Sequence, residues 1–465
     1  MTTQISSTEL QLLVFRYLKE SGFDHSAYVF AVESAVASSE AATADVPPGS
    51  LVSFVHKGLL FSQLEREVED PKRARLSNLT EIEGENGAAG IVILRGHQTA
   101  VYACTFHPKD GSILATGSGD SMARIWRLDE KGVADCRLLE HSSLLKNPNG
   151  DETMTDADNG SKKRDTEKDP FAVSTLAWNP SGTLLASGCL DGKIRLWTKE
   201  GESAGSLIQH SGPIFCLKWS PSGSLLVSGG QDKTAIIWDV EARSARRSFD
   251  LPHGQMLDVD WCPSANGTVD DVFAASCGNF LTICSLSTGN MVSFKAHEDD
   301  INAVKWSADG RMVATCSDDA KAKIWIIPSL SALDPGSQPS CVELDGHTKE
   351  VYMAKWCPST SADKPTRLAT ASFDGTVKIW DARSGKLVHA LKEHSGAVYA
   401  IEFDTTGQFL LSGGNDKLVN LWSVETGVLR KSVKVPGGVF DISWNVRCDK
   451  YAVALSNSNV VVVDY

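Results

Sequence analysis

The sequence lacks the marks of a membrane-spanning, secreted or metal-stapled chain. Across 465 residues no apolar run approaches the ~20 needed to cross a bilayer, and no basic stretch followed by an apolar one opens the N-terminus. A soluble protein that neither spans a membrane nor is secreted is expected. The 11 cysteines are odd in number and form no C-x-x-C pair. Disulfide frameworks and zinc sites need clustered or regularly spaced thiols, so reduced, intracellular, mostly buried cysteines are expected. Positive charge is also short: 45 Lys and Arg face 58 Asp and Glu, a net charge of −13. That balance argues against a chain built to neutralise nucleic-acid phosphates, so no sequence-specific DNA binding is expected; a basic partner suits it better. No phosphate loop of the form G-x-x-x-x-G-K-S/T, no G-x-G-x-x-G turn, no H-E-x-x-H pair and no G-x-S-x-G elbow stands in a suitable context. No catalytic residues, cofactor or metal are expected.

What the sequence does have is repetition. LLVSGGQDKTAIIWDV (225–240), MVATCSDDAKAKIWII (312–327), RLATASFDGTVKIWDA (367–382) and FLLSGGNDKLVNLWSV (409–424) are variants of one segment. ILATGSGDSMARIWRL (113–128) and LLASGCLDGKIRLWTK (184–199) belong with them. In each, an Asp stands six residues before a Trp: Asp120/Trp126, Asp191/Trp197, Asp232/Trp238, Asp319/Trp325, Asp374/Trp380 and Asp416/Trp422. A His lies upstream at His97, His210, His297, His347 and His394, and a Ser or Thr four residues before each Asp. Short alternating apolar segments divided by Gly, Asp and Ser read as antiparallel strands. A period of roughly 40–45 residues with G-H and W-D signatures resembles the WD-repeat β-propeller. Two degenerate copies, at 253–286 and 437–465, put Gly278 with Cys284 and Asn457 with Val463 in the Asp and Trp slots. The fold expected over 91–465 is an all-β propeller of eight blades. The IVIL run at 91–94 supplies the outer strand of the last blade, so that the ring closes without a free edge. His141 falls 56 residues before Trp197, about twice the usual interval. The polar, aperiodic stretch 142–170 takes up the excess and reads as a disordered insertion.

A His, an Asp and a Ser or Thr recurring in one protein suggest a hydrolase, but a catalytic set occurs once, beside an oxyanion site. Six copies around a ring are structural: in WD-repeat proteins, which this sequence resembles, these groups form a hydrogen-bonded network with the Trp indole. Buried polar groups have to be paired, and a closed network pins the loops of a blade.

Aligning the blades on their first strand gives equivalent rim positions, Tyr102, Ser174, Phe215, Leu257, Asn302, Tyr352, Tyr399 and Phe440. Asp300 and Glu350 precede this position by two residues in their blades, and Asp318 and Phe373 stand just before a turn Asp. Five of the eight rim positions are aromatic, with carboxylates beside them. Aromatic rings give contact area at low entropic cost and attract cations. The expectation is a channel mouth that binds a basic peptide, with Tyr102, Phe215, Asp300, Asn302, Asp318, Glu350, Tyr352, Phe373, Tyr399 and Phe440 as candidates. A second surface is suggested by Trp380, Asp381 and Arg383, which resemble the W-D-x-R motif by which some WD-repeat proteins dock on the adaptor of a cullin-RING ubiquitin ligase.

The N-terminus is of another kind. Leu10, Leu13, Val14, Tyr17 and Leu18 share one helical face, Gly22 suits a C-terminal cap, and a second helix presents Tyr28 and Phe30. Two helices of about a dozen residues bury too little to stand alone, and a second copy is the simplest partner. The run from Tyr17 to Phe23, with His25-Ser26-Ala27, closely resembles a LisH dimerisation motif over 4–36. Oligomerisation is expected through Leu13, Tyr17, Leu18, Phe23, Tyr28 and Phe30. The segment 45–70 has amphipathic helical spacing, and 71–90 reads as a linker whose Lys72, Arg73 and Arg75 are a candidate nuclear import signal. LisH, then this segment, then an eight-bladed WD propeller is the order found in the transducin beta-like subunits of nuclear corepressor complexes, where the middle segment is called F-box-like. That resemblance implies a non-enzymatic, oligomeric nuclear scaffold that holds corepressor peptides and links a histone deacetylase to chromatin through contacts with histone tails. The alternative is a substrate receptor of a cullin-RING ubiquitin ligase.

Overall fold

Alternating apolar residues, β-branched and aromatic side chains, and Gly- or Asp-bearing turns give each repeat four short strands. The structure is a computed structural model; it describes residues 79–81, 90–129, 132–141, 171–263, 271–327, 339–358 and 366–465. These form eight antiparallel sheets in a ring. Blade 1 comprises Val101–Phe106, Ile113–Ser118, Met122–Asp129 and Gly132–Glu140. The inner strands of blades 2 to 8 are Val173–Trp178, Ile214–Trp219, Val259–Trp261, Ile301–Trp306, Val351–Trp356, Val398–Phe403 and Val439–Trp444. Second strands such as Ile113–Ser118 and Leu225–Gly230 are buried throughout. The apolar core lies between blades: Val101, Phe106 and Trp126 of blade 1 pack against Leu94, Ala452, Ala454, Val460 and Val462 of blade 8.

That seam is where the ring shuts. Ile91–Leu94 pairs antiparallel with the last strand in the register Ile91↔Val463, Val92↔Val462, Ile93↔Val461 and Leu94↔Val460, as the sequence led one to expect. The segment 71–90 is not linker throughout. Leu79–Glu81 forms a strand parallel to Leu429–Lys434, making blade 7 a five-stranded sheet with its outer edge covered. Three residues without apolar alternation carry no strand signal, because the partner's unpaired backbone groups supply the reason to pair. The LisH and F-box-like segments, with their oligomerisation residues, the basic Lys72, Arg73 and Arg75, and the insertion 142–170 lie outside the described residues.

The recurring polar set is a structural relay. In blade 6 the Trp380 indole N–H donates to Thr370 Oγ1 at 2.9 Å, Thr370 lies 2.8 Å from His347 Nε2, and His347 Nδ1 lies 2.9 Å from Asp374. One neutral tautomer satisfies every atom: Trp to Thr, Thr to His Nε2, His Nδ1–H to Asp. Blades 1, 3, 5 and 7 repeat it through His97/Asp120, His210/Asp232, His297/Asp319 and His394/Asp416 at 2.7–3.0 Å. Burial lowers the pKa of His210, His297 and His347 despite their carboxylate partners, which keeps the rings neutral. Burial alone would raise Asp319, but the His297 ring and the Glu298 amide outweigh it and hold the carboxyl at about 2.

Blade 2 is rewired. His141 still meets Ser187 at 2.9 Å, but its Nδ1 turns to the Leu139 carbonyl, while Asp191 pairs with Arg195 at 2.8 Å. Burial, reinforced by the Arg195 charge, pushes His141 down to about 4. The two degenerate blades, 4 and 8, stand opposite each other, and both tie to the next blade by side chains on or just before the inner strand. Asp258 accepts the Val304 N–H at 2.8 Å and Asp260 that of Trp306 at 2.9 Å. Asp441 accepts the Cys104 N–H at 2.9 Å and Ser443 that of Phe106 at 3.1 Å. All 11 cysteines are free thiols, six of them buried.

Thr370→Val keeps the side-chain volume but strands the Trp380 N–H and His347 Nε2, and is expected to cost about 1–3 kcal/mol in urea unfolding. Acid is expected to weaken the propeller in two stages. Unfolding frees His141 to protonate near 6.5, so stability is fully present above that value and falls as pH drops toward 4; this amounts to about 2–3 kcal/mol. A further loss below about pH 4 comes from Asp319, whose folded value is about 2. Melting midpoints across pH 7.5 to 4, with His141→Asn flattening the upper part of the slope, test the first stage.

Candidate peptide-binding mouth

The rim residues owe their position to an irregularity repeated around the ring. In seven blades the inner strand skips one residue in pairing with its neighbour. The skipped residues are Tyr102, Ser174, Phe215, Asn302, Tyr352, Tyr399 and Phe440. An extra residue in one strand is a β-bulge, which leaves the ladder unpaired there and re-aims the side chain. Blade 4 lacks the skip: Leu257 precedes the strand, and its amide donates to Ser276 Oγ at 3.2 Å.

Four of the aromatic rim residues, with Phe373, form a continuous surface. Tyr102 meets Phe440 at 5.9 Å between ring centroids, Phe440 meets Tyr399 at 6.1 Å, and Tyr399 meets Tyr352 at 5.7 Å. Phe373 joins from the turn of blade 6, 5.6 Å from Tyr352 and 5.2 Å from Tyr399. The arc therefore runs over blades 6, 7, 8 and 1. Tyr102 and Tyr352 are 45% and 41% exposed, while Phe373, Tyr399 and Phe440 are half-buried. Phe215, on blade 3, makes none of these ring contacts. Ser174 faces inward to a structural task, its hydroxyl donating to the Gly188 and Ile214 carbonyls.

The carboxylates gather on blades 5 and 6. Asn302 Nδ2 donates to Asp318 Oδ1 at 2.6 Å and to the Val351 carbonyl at 3.1 Å, which ties the exposed Asp318 to the residue preceding Tyr352. Glu350 is bound into the same corner by its carbonyl, which accepts the Phe373 N–H at 3.0 Å. Partial burial and the charges of Asp299 and Asp318 raise the pKa of Asp300. Among the described residues none of Asp299, Asp300, Asp318 and Glu350 has an ion-pair partner. The mouth thus offers an aromatic face beside negative charge that lacks a counter-ion.

The channel beneath carries charged residues that rim alignment alone missed. Three positions on from the rim lie Lys218, Asp260, Lys305, Lys355 and Glu402. Lys218 pairs with Asp260 at 3.4 Å, Lys305 with Asp258, and Lys355 with Glu402 at 2.5 Å. A signal existed: the same alignment read three residues further puts a charge at this position in five blades. Asp441 sits among them. Burial, with Glu402 adding to it, pushes its carboxyl up to about 6 against the pull of the Cys104 amide and Lys355. The Tyr352 hydroxyl is likewise pushed up by burial and by Asp441. A cavity of about 430 Å³ lined by Lys218, Lys355, Glu402, Asp441, Trp178 and Trp219 occupies this part of the channel. A larger groove, about 540 Å³, lies at the opposite end of the strands between blades 6 and 7, lined by Arg367, Phe409, Glu425 and Arg430. Among the described residues no group of three or more His, Cys, Asp or Glu is placed to hold a metal ion.

Trp380, Asp381 and Arg383 also lie at that opposite end and differ in exposure. Trp380 is buried in its relay. Asp381 caps its own turn, accepting the Ser384 N–H at 2.8 Å and the Ser384 hydroxyl at 2.6 Å, which lowers its pKa. Arg383 is exposed.

Comparison with known proteins agrees with this architecture. The WD domain, G-beta repeat family matches residues 90–127, 164–198, 201–239, 289–325, 338–381 and 385–423. The mouse F-box-like/WD repeat-containing protein TBL1X is 33% identical over 549 aligned positions covering 99% of both chains, and human TBL1Y is 33% identical with the same coverage. The Arabidopsis thaliana WD40 repeat-containing protein HOS15 is 36% identical over 80% of this chain, which spans 57% of that protein. The crystal structure of the C-terminal WD40 domain of Sif2 superposes with a TM-score of 0.64 over 80% of this chain and 98% of that domain, at 22% identity, a likeness of fold alone.

Asp441 titrates with the opposite sign to the relays. Its folded value of about 6 lies above the ordinary carboxylate value, so its contribution is most favourable below about pH 4 and is lost as pH rises through 6. Asp441→Asn is expected to stabilise the propeller by about 1 kcal/mol at pH 7.5, after losing one of the two amide bonds the carboxylate accepts. That advantage should vanish at pH 4.5. Thermal unfolding of both proteins at the two pH values checks the difference.

Proposed function

The chain belongs to the family of transducin beta-like, F-box-like/WD repeat-containing proteins, and from that membership we propose that it is a non-enzymatic scaffold of a nuclear transcriptional corepressor complex. In this reading the N-terminal LisH segment, 4–36, assembles copies of the chain and, with the F-box-like segment 45–70, holds corepressor peptides and a histone deacetylase. The propeller mouth then contacts basic histone tails. The observation that carries the reading is the mouth: a continuous aromatic arc beside four carboxylates that have no ion-pair partner among the described residues, on a chain similar over 99% of its length to TBL1X. Such a surface suits an extended cationic segment better than a small neutral ligand. Joining several mouths on one oligomer would add avidity of ~10²–10⁴, which makes weak single contacts useful on a nucleosome with many similar tails.

A second reading, a substrate receptor of a cullin-RING ubiquitin ligase, rests on one observation. Arg383 is exposed on the turn that Asp381 holds rigid, at the end of blade 6 away from the mouth. The two readings engage different ends of the propeller and different partners.

Affinity purification of the intact chain beside a deletion of residues 1–70 separates them. Deacetylase activity and corepressor subunits are expected with the intact chain and not with the deletion, and Phe23→Ala with Tyr28→Ala should reproduce the loss. Should neither sample deacetylate while both retain ligase subunits that Arg383→Ala releases, the receptor reading replaces the scaffold.

A further inference from the structure

The proposed function asks only that the mouth take a basic peptide. The geometry of the rings goes further. Tyr352 and Phe373 lie nearly parallel, at 24°, with centroids 5.6 Å apart. Tyr399 stands edge-on to both, at 83° and 63° and at 5.7 and 5.2 Å. Rings at these separations pack directly on one another. A box for a methylated ammonium works differently: its rings stand apart around the cation, each face within about 6 Å of it, so opposing walls are separated by much more than the spacing seen here. The three rings fill the space that such a cation would occupy. What remains open to solvent is the outer face of the cluster, with Tyr352 its most exposed ring.

A single flat face favours a flat cation. Guanidinium is planar, weakly hydrated and stacks on aromatic rings, whereas an ammonium is a compact and strongly hydrated point charge. Guanidinium also needs in-plane acceptors at the edge of the stack. Asp318 is exposed, and Asn302 steers it toward this face by bonding both its Oδ1 and the carbonyl next to Tyr352. Its other oxygen accepts no bond from the described residues. Glu350 precedes Tyr352 by two residues, and partial burial with the charges of Asp299 and Asp318 raises the pKa of Asp300, so this side of the mouth favours a cation.

We propose that the mouth is an arginine-selecting platform, in which a peptide guanidinium stacks on the Tyr352–Phe373 face and forks onto Asp318, in preference to lysine or methylated lysine. The proposal rests on the mouth being the peptide site and adds which side chain anchors there. Charge alone would draw in any basic segment; the filled space between the rings is what discriminates.

The test uses the full chain and four synthetic peptides of a flexible Gly/Ser/Lys sequence, identical except for a central arginine, lysine, trimethyllysine or citrulline. Binding is followed by calorimetry. The arginine peptide is expected to bind at least fivefold tighter than the other three. Asp318→Asn, a change at an exposed side chain, and Phe373→Ala should each bring that preference below twofold, with circular dichroism confirming that the variants fold. If trimethyllysine or lysine binds as tightly as arginine while Tyr352→Ala abolishes binding, the selectivity is wrong and the mouth remains the peptide site. If no peptide binds, or binding ignores both Tyr352→Ala and Asp318→Asn, the mouth reading fails and takes this proposal with it.

Discussion

A ring of β-sheets is stable only if its last sheet meets its first without leaving a seam open. Here that requirement falls on four residues, Ile91–Leu94, which pair with Val460–Val463 from the far end of the chain. Closing a loop of this length costs configurational entropy that grows only slowly with the number of residues, so the long connection is tolerable. The return is large, since every blade then has two neighbours and the apolar faces at the seam are buried like those elsewhere. The mouth inherits its rigidity from this. Tyr102 of blade 1 and Phe440 of blade 8 meet across that seam, so the aromatic arc exists only in the closed ring.

Within the ring, two kinds of polar anchoring share the task of fixing blades. Five blades use the Trp–Thr/Ser–His–Asp relay, which ties strands and loops of one blade to each other. Blades 4 and 8 have lost it and use residues on or just before the inner strand instead, with Asp258, Asp260, Asp441 and Ser443 accepting amide protons from the following blade. The first device stiffens a blade and the second stitches a seam. Their responses to protons differ because burial favours the neutral ring of His210, His297 and His347, while Asp441 is held ionised at a cost by its neighbours. The propeller therefore has contributions that weaken in acid and others, from Asp441 and Asp300, that strengthen, and its stability optimum lies where the two trade off.

Much of this was legible in the sequence. Asp120 and Trp126 with their counterparts marked six blades, because those residue types recur at fixed spacing, and the same spacing in two degenerate copies brought the count to eight. The closure strand was legible because 91–94 is an apolar run one outer strand short of a full blade. Other features were not. Leu79–Glu81 has no pattern of its own and is a strand only because Leu429–Lys434 offers an edge. The rewiring of blade 2 follows from Arg195 entering the space where Asp191 would meet His141, a choice between partners that spacing does not reveal. The bulges were legible only as a break in alternation: the buried positions of an inner strand are spaced three and then two, as at Val101, Cys104 and Phe106.

The bulges also explain why the mouth can carry function at all. A residue inside a regular ladder is constrained on both faces by its neighbours, and changing it disturbs packing that holds the blade. A skipped residue is free of that ladder: its backbone is displaced from the pairing, and its side chain is an aromatic ring in five blades, whereas Ser174 and Asn302 bond a carbonyl of the next blade. The same position therefore holds Tyr, Phe, Asn and Ser in different blades of one ring without any change in the strands around it. Residues that keep the fold and residues at the mouth are thus separated within a single strand: Val351 and Trp356 bound the inner strand of blade 6, and Tyr352 between them is the skipped residue. A propeller built this way can change what it binds, blade by blade, while its closure and its relays stay as they are.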